Sequence, residues 1–186
     1  MACAQKKAEE EGRTIVFVDE SGFYLLPSVV RTFAPQGQTP VLREQLTNDH
    51  LSAISGVTPE GKLYMQVQGS SFRSADVLRF LGHLRRHIHG KALLLWDGAP
   101  IHRSRVIKEY LSNGAARWLR LERLPAYAPE LNPDEGVWGY LKRVELKNLC
   151  CRDLRQLGEE LRRAKERLRH KKEVLRGCCH RPGLAV

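Results

Sequence analysis

The stretch KALLLWDGAPIH, residues 91–102, decides how the rest of this chain is read. Five apolar residues run unbroken from Ala92 to Trp96, and they end on a carboxylate, Asp97, followed by the small-residue turn Gly98-Ala99-Pro100. A continuous apolar run of this length fits a central strand covered on both faces, as in parallel sheets. An acid at the carboxyl end of such a strand sits at the edge where α/β proteins place their ligands. Taken alone, Asp97 is a turn-starting residue, which Asp often is. Two further acidic stretches shift that balance.

Outward from this strand, the pattern alternates. Residues 2–12 read as the end of a helix, being rich in Ala, Lys, Gln and Glu. Residues 13–20, RTIVFVDE, read as a strand that ends on Asp19 and Glu20. Residues 21–49 are turn-rich, and we expect an irregular hairpin there. Residues 51–57 and 62–68 flank Thr58-Pro59-Glu60-Gly61, a turn signal that predicts a β-hairpin. Ser74 is the expected cap of a helix in which Val77, Leu78, Leu81, Leu84 and Ile88 recur at helical spacing, stopped by Gly90. After the 91–96 strand come a short helix (103–111), a strand (117–124) and a Pro-rich turn. Asn132 opens a helix to about residue 147, with Pro133 at its first position and Val137, Trp138, Leu141 and Val144 as its expected buried stripe. A last helix, 153–172, turns Leu154, Leu157, Leu161, Ala164 and Leu168 inward. Three antiparallel strands followed by alternating units predict an α/β fold: a mixed five-stranded sheet with helices on both faces.

The chain has 186 residues and is 42% hydrophobic, enough for one such domain with a core. Its formal net charge is +10, and residues 136–186 carry 14 Lys and Arg against 6 Asp and Glu. Basic charge gathered at one end points to a polyanion, of which nucleic acid is the commonest. No secretory or membrane-length apolar segment is present, which predicts no membrane partner and a cytoplasmic location. The adjacent pairs Cys150-Cys151 and Cys178-Cys179 do not match the spacing of zinc sites, and ordinary thiols are the reading.

Three acids share one context: Asp19 after the first strand, Asp97 after the fourth, and Glu135 in the first turn of the helix after the fifth. If strands one and four are neighbours, Asp19 and Asp97 meet at their ends and the helix brings Glu135. Such carboxylates repel one another unless cations sit between them. All-oxygen ligation suits Mg²⁺ or Mn²⁺, and two ions about 3.5–4 Å apart serve in-line phosphoryl displacement. Each acid also has a structural reading. Glu20 competes with Asp19, Asp134 competes with Glu135, and Asn132 with Glu135 spells a capping box.

FVDESGF (17–23), RTFAPQGQTP (31–40), WDGAPIH (96–102) and YAPELNPDEGVWGYLK (127–142) together resemble the DDE-superfamily transposases of bacterial insertion sequences related to mariner, over residues 13–145. The resemblance implies a ribonuclease-H-like catalytic domain that cleaves and joins DNA strands with two Mg²⁺ ions, for which Mn²⁺ substitutes. It assigns the catalytic and metal-binding acids to Asp19, Asp97 and Glu135 and matches His102 to the family's His after the second acid, while Glu20 and Asn132 remain accessory candidates from the residues themselves. Gly98 stands where many relatives have Asn. Arg31, Arg103, Lys142 and Arg143, in or beside these blocks, are the candidate DNA contacts.

We expect the domain to span 13–149, after a residual linker helix (1–12) and before a basic helical extension (150–186) packed on it. By the same resemblance, its partners are element-end and target DNA and a second copy in the active complex, with a bacterial, nucleoid-associated location. Such transposases usually carry an N-terminal helix-turn-helix region, so the expectation is a separately encoded or frameshift-fused one, or a truncated remnant. A stand-alone nuclease of the same fold is the other enzymatic alternative.

Overall fold

A computed structural model of the chain describes residues 2–41, 47–125 and 131–180. Five strands form one sheet: β1 (Arg13–Tyr24), β2 (His50–Val57), β3 (Leu63–Gln68), β4 (Lys91–Trp96) and β5 (Leu119–Arg123), in the order β3-β2-β1-β4-β5. β1–β2 and β2–β3 are antiparallel, whereas β1–β4 and β4–β5 are parallel. This is the expected mixed sheet. Among the described residues six α-helices pack with it: α1 (Ala2–Glu10), α2 (Ser74–His87), α3 (Arg105–Ser112), α4 (Pro133–Tyr140), α5 (Leu154–Arg169) and α6 (Lys172–Cys179).

The apolar run in β4 is explained by what covers it. Leu93 and Leu95 enter one buried cluster, with Val137, Trp138, Leu161 and Leu168 of α4 and α5. Ala92, Leu94 and Trp96 enter the other, with Phe80, Leu81 and Leu84 of α2 and Ile107 of α3. Successive side chains of a strand point to opposite faces, so a strand buried on both sides must be apolar throughout. β1 divides likewise: Phe17 joins the first cluster, Val16 and Val18 the second. The basic C-terminal helices bury Leu157, Leu161, Ala164, Leu168 and Leu175 in the first cluster and leave their charged faces outside.

Several local expectations are corrected. β1 does not stop at Glu20 but continues to Tyr24, because β2 pairs with it through Tyr24↔His50. Ser74 is not the cap of α2. The Asp76 carboxylate accepts from the Arg73 amide (2.8 Å), while the Ser74 hydroxyl donates to the Ile101 carbonyl (3.2 Å). The helix expected over 132–147 is α4 followed by one π turn at Leu141–Glu145. The helix expected over 153–172 is α5, which ends at Arg169, and a further helix that was not expected, α6, begins at Lys172. The Pro-rich turn at 126–130, part of the 127–142 block, and the chain end at 181–186 lie outside the described residues.

Candidate active site

The sheet narrows at the level of Asp19. β4 pairs with β1 only as far as Val18↔Trp96, whereas β1 runs on beside β2 with Asp19↔Ser55. The backbone therefore sets Asp97, the residue after β4, beside Asp19 inside a crevice where a five-stranded sheet loses its parallel half. The turn 97–104 and the start of α4 close around this crevice. Asp19 is thus a mid-strand residue next to a strand end, rather than a strand-end residue itself.

Asp19 is half-buried and held by α4: the Trp138 indole N–H donates to its Oδ2 (3.1 Å). Burial pushes its carboxyl up to about 7, against the Trp138 hydrogen bond, and the neighbouring Glu20 and Glu135 push in the same direction as burial. Trp138 lies three positions after Glu135, so the two share a helix face. Read from the sequence as core alone, Trp138 also orients an acid. Trp138→Phe keeps the ring against Phe23 (centroids 5.9 Å apart) but loses the donor. It is expected to cost about 1–2 kcal/mol in urea unfolding at pH 8, where Asp19 is ionised.

Asn132 caps α4, its Oδ1 accepting from the Asp134 amide (3.2 Å). That start turns the two acids of the first turn in different directions. Asp134 is fully buried and accepts from the Ser55 hydroxyl, and its other oxygen has no partner among the described residues. Burial holds its carboxyl well above the usual range. Glu135 is exposed and opens towards Asp19. A buried acid bonded to Ser55 belongs to the wall of the site, and an exposed one is available to a ligand. The local geometry therefore favours Glu135 over Asp134 in the functional role.

Asp97 is exposed and tethered. Its Oδ1 accepts from the Ala99 amide (2.9 Å) and lies 2.8 Å from His102 Nδ1. His102 is buried, stacked on Trp96 with centroids 4.2 Å apart, and its Nε2 lies 2.9 Å from Glu20 Oε1. Burial opposes charge on this imidazole, but Glu20 and Asp97 outweigh it and raise its pKa. Glu20–His102–Asp97 is thus a chain of side chains that fixes the second acid. Lys142 donates to Ser21 Oγ (2.8 Å) and faces the acids. Burial lowers its pKa, and Glu135 and Asp19 oppose that.

The carboxylates do not form a closed cage. Among the described residues no three His, Cys, Asp or Glu side chains are grouped so as to hold a metal ion. Asp19 and Glu135 act on each other, while Asp97 is turned to His102. The donor set fits a hard divalent cation in its chemistry: oxygen atoms only, with a half-buried carboxyl whose charge no hydrogen-bonded cation offsets. Arg31, Arg103 and Arg143 are exposed and form no ion pair among the described residues. The arginines of the C-terminal helices are largely paired, as in Arg155–Glu159, Arg163–Glu160 and Arg167–Glu145.

The sequence model of a family described as DDE superfamily endonuclease matches residues 14–158. No curated protein matches the chain. Among solved structures, the mariner Mos1 paired-end complex with Mg is similar at TM-score 0.62 and 20% identity, covering 95% of this chain and 59% of that one. The catalytic domain of Mos1 mariner transposase is similar at TM-score 0.57 and 17% identity, with 95% and 87% covered. A simian T-cell lymphotropic virus intasome chain is similar at TM-score 0.54 and 17% identity, with 80% and 47% covered. At these identities the likeness is one of fold, and it is the ribonuclease-H-like fold. This chain therefore spans under two thirds of the full Mos1 chain.

Proposed function

The chain belongs to the DDE superfamily endonucleases, and from that premise we propose that it is the catalytic domain of a transposase that cuts and joins DNA at the ends of an insertion sequence. The observation that carries the reading is the stopping point of β4. Val18 pairs with Trp96, so Asp19 and Asp97 are neighbours across the parallel pair, and Glu135 bears on Asp19 from α4.

Asp19, Asp97 and Glu135 would hold two Mg²⁺ ions, with Mn²⁺ able to substitute. Mos1 complexes with Mg and with Mn support that choice. When bound, the ions supply activation of the attacking oxygen and charge stabilisation at the leaving oxygen. The chain supplies placement. Trp138 fixes the Asp19 carboxylate, the Glu20–His102 pair fixes Asp97, and Asn132 sets the helix start that exposes Glu135. Water attacks a phosphodiester at the element end, breaking the P–O3′ bond and leaving a 3′-OH. That hydroxyl then attacks a target phosphodiester, forming one bond as another breaks, so no covalent protein–DNA intermediate is needed.

Arg31, Arg103, Lys142 and Arg143 would contact phosphates. The partners are end and target DNA, a second copy of the chain, and a helix-turn-helix region encoded separately or joined by frameshifting. The Mos1 paired-end and strand-transfer complexes support DNA as the partner. Among the described residues no helix is long and apolar enough to cross a membrane. The setting we propose is the bacterial nucleoid, with residues 13–149 as the catalytic unit, 1–12 as a linker helix and 150–186 as a basic extension.

Supercoiled plasmid carrying the element ends, incubated with the chain, should be nicked with Mg²⁺ and not with EDTA. Labelled 3′-OH ends should then be joined to a target. Nicking without joining identifies a stand-alone nuclease instead, and binding without nicking identifies an inactive remnant.

A further inference from the structure

Gly98 and Arg123 meet where Asp97 leaves the sheet. Trp96 pairs with Arg123 in the β4–β5 ladder, and Arg123 closes β5 as an exposed residue. Its guanidinium lies across Gly98. A Cβ at Gly98 would meet Nε, Nη2 and Cζ of Arg123 well inside the 3.0 Å that real Cβ atoms essentially never cross. Gly98 is not among the glycines with positive φ, so clearance, not backbone freedom, is what glycine provides here.

Neighbouring charges are already engaged. Arg120 pairs with Glu11 and Glu122, Lys7 pairs with Glu122, and Asp97 is tied to His102 and the Ala99 amide. Arg123 has no ion pair or hydrogen bond among the described residues, so none of its five N–H donors is engaged by them.

We propose that Arg123, seated in the space that Gly98 leaves, grips a backbone phosphate of DNA at the Asp97 edge of the crevice. This rests on the strand-cleavage reading above and adds a substrate-holding residue to it. A planar guanidinium takes a phosphate through two parallel N–H···O bonds, which an ammonium cannot copy. Its charge also offsets the repulsion between a polyanionic strand and the acids at 19, 20, 97 and 135.

The test is equilibrium binding of a fluorescent DNA duplex carrying an element end, in EDTA, over a salt series. Arg123→Ala should weaken binding by about tenfold and lower the slope of log K against log salt by about 1. Gly98→Ala keeps every charge but makes the guanidinium swing out of its seat, so it should weaken binding several-fold at a nearly unchanged salt slope. The double variant should bind no worse than Arg123→Ala alone. Wild-type binding by Gly98→Ala, additive losses, or no DNA binding by the wild-type chain would each overturn the proposal. If Gly98→Ala does not fold, Arg123→Lys decides: several-fold weaker binding at an unchanged salt slope supports the fork, and wild-type affinity refutes it. Nicking with Mg²⁺ is measured in parallel. Wild-type nicking with unmoved binding by the Arg123 variants sinks this inference alone. Absent nicking with binding shifted as expected sinks the cleavage reading alone.

Discussion

Asp97→Asn is expected to slow Mg²⁺-dependent nicking by about 10³-fold or more, because an acid in this position is asked to support several kcal/mol of transition-state charge stabilisation. The fold should be almost untouched. The Asp97 side chain is 52% exposed, so little burial is at stake. An asparagine oxygen can still accept from the Ala99 amide, and His102 keeps its Glu20 partner. Substitutions at such sites change stability by roughly 0.5 kcal/mol or less. Initial nicking rates and thermal melts on the same preparation separate the two effects. A variant that nicks at the wild-type rate removes Asp97 from the site, and the strand-cutting reading goes with it.

Asp19→Asn is expected to act in opposite directions on stability and activity. The Asp19 carboxyl titrates near 7 in the folded, metal-free chain, chiefly because it is buried, against 3.8 for an ordinary Asp. The folded state therefore holds the proton more tightly than the unfolded one. Below about pH 4 both states carry the neutral acid and no penalty exists. Between about pH 4 and 7 the unfolded chain ionises first, so stability falls. Above about 7 both are ionised and the whole penalty remains, up to about 4 kcal/mol. Asparagine carries no charge to bury and can still accept from Trp138.

The variant should thus match wild type at pH 4 and exceed it by up to about 4 kcal/mol at pH 8, read from urea unfolding in EDTA. Asp134 is present in both proteins, and its raised pKa comes first from its own burial, with the Asp19 charge a smaller cause. A divalent cation should raise the wild-type melting temperature at pH 8 and leave that of Asp19→Asn unmoved. Nicking by Asp19→Asn should be lost as it is for Asp97→Asn. A stability gain that does not vary with pH would show that burial of the charge is not its source.

The parts of this fold that were legible in the sequence are those where a local pattern has one tertiary meaning. The run 92–96 is apolar throughout because α2 and α3 cover one face and α4 and α5 the other. The end of β1 was not legible, since Ser21-Gly22 after two acids reads as turn chemistry. It is β2, reaching Tyr24↔His50, that holds these residues extended. The helix after Asn132 showed its start and a stripe of which Val137, Trp138 and Leu141 are buried, but Val144, in the π turn, is exposed, and five residues cannot distinguish a π turn from continued α-helix. The helix α6 was not legible because its eight residues are too few to show a periodic stripe, with only Leu175, Cys178 and Cys179 buried.

Much the same divides the site. Asp19, Asp97 and Glu135 stood out through their motifs. Trp138 was visible only as core, because nothing local reveals where an indole N–H points. Ser55 depends on the β1–β2 register, and Arg123 on the space above Gly98, so neither had a sequence signal.

The three acids are mounted unequally. Asp19 belongs to the central strand of the sheet, with a ladder on its β2 side and the β4 pairing ending one residue earlier, so its main chain cannot shift without unzipping neighbours. Asp97 hangs from a turn and Glu135 from the first turn of a helix, and no sheet ladder holds the main chain at either. Any retuning of the gap between these groups, by evolution or by an engineer, can be written into those two mounts while the scaffold beneath stays as it is.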